Sequence, residues 1–77
     1  MNKDRREAIA KAVETLEEIN SDLETIADEE QEYFDNMPEN LQGSERGQQA
    51  EQAADQLTEA KGSVEDAIHS LQLAGDI

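Results

Sequence analysis

The stretch Asn36-Met37-Pro38-Glu39-Asn40-Leu41-Gln42-Gly43-Ser44 decides how this chain folds, because it interrupts two long helical patterns. Pro38 biases Met37 away from helical backbone, and its fixed φ and missing N–H suit the start of a new turn. The spacing predicts one short turn over Pro38–Gln42, closed by Gly43, with Ser44 as N-cap of the helix that follows. A connection this short makes its flanking helices antiparallel neighbours.

Upstream, apolar residues recur at helical spacing. With Ile9 as heptad position a, the a series is Ile9, Leu16, Leu23, Glu30, Met37 and the d series Ala12, Ile19, Ile26, Tyr33. The e series is Val13, Asn20, Ala27, Phe34. This a/d/e stripe, polar only at Asn20 and Glu30, predicts a first helix over about 3–35, roughly 50 Å long at 1.5 Å per residue. Downstream, from Ala50 as a, the a series is Ala50, Leu57, Val64, Leu71; the d series is Ala53, Ala60, Ala67, Ala74. Position e adds Ala54, Lys61 and Ile68. Alanine at every d position is expected to let the first helix approach closely, its large residues filling the groove. The second helix is expected over about 45–73, stopped by Gly75. Asn20-Ser21 before Glu24, and Ser63 before Asp66, resemble capping boxes, but the heptads run through both and each helix is read as continuous.

The expected fold is therefore all-α, one domain over 1–77, an antiparallel two-helix hairpin with connection 36–44. A lone hairpin half covers an a/d/e stripe, so a homodimer closing a four-helix bundle is expected. Leu16, Ile19, Leu23, Ile26, Leu57, Val64, Ile68 and Leu71 are the candidate self-association core. Met37 and Leu41 are expected to plug the core at the connection. Glu30 should reach solvent there or pair with Lys61 or Arg46, and Lys3, Arg5 and Arg6 should lie near the C-terminal end of the second helix.

Charge is the other distinguishing property. The net charge is -14, and between Ala12 and Glu45 there are twelve carboxylates and no lysine or arginine. Repulsion of that size destabilises a compact state, whereas an interspersed Lys/Glu surface would give solubility without it. Low hydrophobicity with high charge also marks disordered chains, but the sustained periodicity opposes that reading. Glu14, Glu17, Glu18, Asp22, Glu24, Asp28, Glu29, Glu32 and Asp35 fall mainly on b, c, f and g, the solvent side.

Other chemistries find little support. There is no cysteine, so neither disulfides nor thiolate metal sites are available. A calcium loop fails because Asp35 is followed at alternate positions by Met37 and Glu39, and Gly43 falls too late. A di-metal bundle needs Glu-x-x-His, whereas His69 follows Asp66 and sits at an exposed f position. No nucleophile–base motif, phosphate-cradling glycine loop or HExxH motif is present, so no enzyme, metal or cofactor is expected. Six cations against twenty acids oppose direct nucleic-acid binding. No apolar run approaches the ~20 residues of a membrane span, and the N-terminus lacks a signal peptide's apolar core. A cytoplasmic protein is expected.

The run from Asp28 through Tyr33-Phe34-Asp35-Asn36-Met37-Pro38-Glu39-Asn40-Leu41-Gln42-Gly43-Ser44-Glu45-Arg46-Gly47 resembles small acidic helical proteins of bacteriophages and prophages, in which an acidic helix ends in a DNxPExLQ-SE-G connection. The resemblance covers about a quarter of the chain and implies a phage or prophage origin, hence the host bacterial cytoplasm; it carries no functional residue with it.

Two functional readings follow. In the first, the chain binds a basic protein partner stoichiometrically, occluding a nucleic-acid-binding or defence protein with a carboxylate array that presents charge much as a phosphate backbone does. The connection residues Asn36, Glu39, Asn40 and Gln42 form a second candidate contact surface on a rigid scaffold. In the second, the chain is an oligomeric structural or adaptor bundle and its acidity serves only solubility.

Overall fold

The computed structural model describes residues Met1–Ile77 and contains three helices: α1 Lys3–Asp35, α2 Glu39–Gln42 and α3 Glu45–Gly75. α1 and α3 lie against each other along a rod 58 Å long and 14 by 12 Å across. Both long helices are continuous, so the two internal capping-box sequences break neither. The hydroxyls of Thr15, Thr25 and Ser63 instead donate to the carbonyls of Lys11, Ser21 and Glu59, one turn back.

α1 starts at Asn2, an N-cap that the heptad count had not marked; its Oδ1 accepts from the Arg5 amide at 2.8 Å. It ends at Asn36, whose N–H still donates to Glu32 O at 2.9 Å. Pro38 is extended (φ -54, ψ 145) and stands just before α2 rather than within it. Its carbonyl accepts from the amides of Leu41 at 2.8 Å and Gln42 at 3.1 Å, closing the single turn. Gly43 ends that turn with ordinary right-handed dihedrals (φ -82, ψ -5), and no left-handed glycine occurs in the chain. Ser44 caps α3 as expected, its Oγ accepting from the Gly47 amide at 3.3 Å.

α3 runs two residues beyond the expected stop. Gly75 is its last helical residue, and Asp76 is the C-cap, its N–H donating to Gln72 O and neighbouring carbonyls. Glycine weakens a helix but breaks it only when the backbone turns left-handed, which Gly75 does not do.

The packing corrects the expected seam. Heptad positions a and e, not d, face the partner helix: Ile9, Val13, Leu16, Leu23, Ala27, Phe34 and Met37 are partly covered, as are Leu57, Val64, Ile68 and Leu71. Only Gly47, Ala50 and Ala54 are fully buried, all near the connection. The d rows lie to one side, although Ala53 and Ala74, near the two ends of α3, are partly covered. Ile19, Ile26 and Tyr33 remain 41, 47 and 48% exposed, and Ala60 and Ala67 are exposed, so these alanines do not receive the large residues of α1. One helix covers a strip only about two heptad positions wide, and a stripe three positions wide is left over. At the tip Met37 is half-buried, but Leu41 is 44% exposed and does not plug the core.

Candidate protein-binding faces

Three surfaces emerge from this arrangement. The first is the acidic side of α1. Glu14, Glu17, Glu18, Asp22, Glu24, Asp28, Glu29, Glu32 and Asp35 are all exposed. The molecule has only two ion pairs, Lys3–Glu7 at 4.0 Å and Lys61–Glu65 at 3.4 Å, each one turn apart within its own helix. None of the nine acids is therefore neutralised within the chain. Asp35 alone has a side-chain partner, accepting from Gln31 Nε2 at 3.0 Å. Glu30, half-buried in the seam, makes no ion pair; Lys61 turns to Glu65 instead of crossing to α1, and the expected bridge to Lys61 or Arg46 is absent.

The second surface is the apolar side face. In an antiparallel pair, rows that flank the seam at the same heptad position fall on the same side of the hairpin, because the two-fold relating the helices is normal to their common plane. The tip shows it: Arg46, in the d row of α3, and Tyr33, in the d row of α1, line one shallow depression of about 290 Å³ with Met37, Pro38 and Leu41. At the other end Ala10 and Gln72, both at b, share a depression of about 330 Å³ on the opposite side with Arg6 and Asp76. Arg6 thus lies near the end of α3, as expected, though it forms no ion pair with Asp76. Ile19, Ile26 and Tyr33 consequently share a face with the alanine row of α3, while the b rows make the opposite face polar.

The third surface is the tip. Asn36, Glu39 and Asn40 are exposed and available. Gln42 is half-buried, and its side-chain amide donates to Phe34 O and Met37 O, each at 3.3 Å. It adds a second donor to Phe34 O, which already accepts from the Met37 amide at 3.1 Å, and ties Met37 O to α2, so its role here is in the fold. Gln48 Nε2 reaches back to Gly43 O at 3.3 Å, and Ser44 Oγ also bonds Leu41 O. These bonds seat α2 on the first turn of α3, directly against Gly47. A Cβ on Gly47 would stand 2.5 Å from Leu41 O and 2.6 Å from the Gln42 carbonyl carbon. The close approach escaped the heptad reading, although a glycine in the third position of an otherwise strong helix was its visible signal.

No three carboxylate or imidazole groups converge as a metal site would require, and no helix is long and apolar enough to cross a membrane. His69 is exposed, away from any cluster. No protein-family model, curated protein or solved structure matches the chain.

Proposed function

We propose that this chain is a protein-binding accessory module whose acidic α1 face engages the basic surface of another protein, such as a nucleic-acid-binding or defence protein. The observation that carries this reading is the absence of any internal neutralisation: nine exposed acids stand on one helix and none is in an ion pair. A rigid helix holds those charges at fixed spacing, so a partner meets a preorganised array rather than a flexible acidic tail. The resemblance of the Asp28–Gly47 run to phage and prophage proteins supports a bacterial host as the setting of that activity. Catalysis has no part in the proposal.

Affinity capture from a bacterial lysate at low and moderate salt tests it. A basic protein should be retained at low salt and released as salt rises, because screening shortens the reach of exposed charges. Reversal of Asp28, Glu29 and Glu32 to lysine should weaken retention by at least tenfold. A complex indifferent to both salt and reversal refutes the reading.

The exposed Ile19, Ile26 and Tyr33 favour a second reading, a homodimer forming a four-helix bundle that serves as a structural or adaptor element. Function would then depend on the apolar faces and tolerate neutralised acids. The two readings are compatible if the dimer displays the acidic face twice.

A further inference from the structure

The apolar face also specifies how a second copy sits on it. We infer that two copies pair face to face in opposite directions, the cationic end of each rod lying over the acidic tip of the other. The inference rests on the self-association reading above and adds orientation and register to it.

Area favours an occupant of this size. A face 58 Å long and 14 Å wide offers roughly 800 Å² per copy, about what a standard interface buries on each partner. The face is also nearly free of charge on α3. Between Arg46 and Asp76 its d and g rows contain only alanine, glutamine and serine, in a chain of net charge -14. A copy of this chain can therefore approach here where it would be repelled elsewhere.

Charge then selects direction. Lys3, Arg5, Arg6 and Lys11, four of the six cations, lie in the first eleven residues, whereas residues 28–39 hold six acids and no cation. Copies aligned with like ends together would stack the two acidic tips. Reversed copies place cations over acids.

Side-chain size sets the register. A two-fold axis between Ile19 and Ile26 sets Ile19 against the partner's Ile26 and Tyr33 against the partner's Ala12, a large residue on a small one. It sets Arg5, at the start of the same row, over the partner's connection, which carries the partner's Glu39. On α3, where Ile9 lies level with Gly75, the same axis falls between Lys61 and Gly62, so Ala60 meets the partner's Ser63 and small side chains allow close approach. The cost falls at the axis, where Asp22 faces the partner's Asp22.

Cysteine is absent from the chain, so single nitroxide labels can be placed at will. Ala8→Cys and Asp22→Cys are both exposed substitutions on helix α1. Sedimentation equilibrium first establishes the dimer, and pulsed dipolar spectroscopy then measures each label-to-label distance. The expected result is a short distance, within about 20 Å, for Asp22→Cys, since helices pack about 8–10 Å apart. For Ala8→Cys it is about 44 Å, because residue 8 lies level with the partner's residue 37 at 1.5 Å per residue. A dimer in which both distances are short overturns the orientation and leaves self-association standing. Monomer at all concentrations, with no dipolar coupling, overturns both and leaves the face for a different protein.

Discussion

Replacing Gly47 with alanine should destabilise the hairpin, although the same change at Gly62 should stabilise it. Both glycines lie inside α3, where alanine is intrinsically favoured by about 0.8–1.0 kcal/mol. At Gly62 nothing stands within 4 Å of the added Cβ, so that gain is realised. At Gly47 the new carbon would lie 2.5 Å from Leu41 O, below the 3.0 Å that real Cβ contacts essentially never breach, with Gln42 O also inside that limit. The α2 backbone would have to withdraw by about 1 Å to approach the ~3.5 Å optimum for such contacts. It is held by the Gln42 and Gln48 amides and by Ser44, so withdrawal strains or breaks those bonds. Overpacking costs about 1–3 kcal/mol and a lost N-cap about 1 more. After the propensity gain is subtracted, Gly47→Ala should lose about 1–3 kcal/mol. At roughly 4–8 °C per kcal/mol for a domain of this size, Gly62→Ala should melt about 4–8 °C higher and Gly47→Ala about 4–24 °C lower. Far-UV circular dichroism melts at one fixed protein concentration measure both, since association would couple stability to concentration. If Gly47→Ala melts at or above the parent while Gly62→Ala rises, the tip has slack and the close approach does not constrain the fold.

Three further outcomes follow from named groups. Asn20 Oδ1 is buried in the seam without a hydrogen-bond partner, so Asn20→Leu should raise stability by about 1–2 kcal/mol in the same melts. Gln42→Ala removes two 3.3 Å bonds to the end of α1 and should cost about 0.5–1.5 kcal/mol; a lower melting temperature with unchanged helix content checks it. Ile26→Asp places a charge on the 47% exposed d face, so it should leave the hairpin's helicity intact while shifting sedimentation equilibrium to monomer.

Much of the hairpin was legible in the sequence because heptad spacing, a proline after a long apolar pattern and a serine before the next one each act locally. Those signals place α1, the short turn and the Ser44 cap. The seam was less legible: an a/d/e stripe says how wide the apolar surface is, not which part the intrachain neighbour covers. Here α3 takes a and e, and the d row of α1 stays open together with Ala60 and Ala67. The role of Gly47 was hidden because it depends on chain five and six residues earlier folding back onto it. The acidic face was readable residue by residue, since its exposure follows from helical position and its lack of ion pairs from the missing cations. The pairing of Lys61 with Glu65 was not anticipated, because a neighbour one turn along the same helix competes with any acid across the seam.

The three fully buried residues, Gly47, Ala50 and Ala54, all belong to the tip half of the rod. The order of assembly follows from that placement. The tip joins segments adjacent in sequence, so the smallest loop closes first and the helices zip from there towards Ile9 and Gly75. Opening runs the other way. Amide hydrogen exchange should therefore be slowest around Ala50 and Ala54 and quicken steadily along both helices towards the base. The end that carries the cations is then the end expected to fray first, uncovering Ile9, Val13 and Leu71.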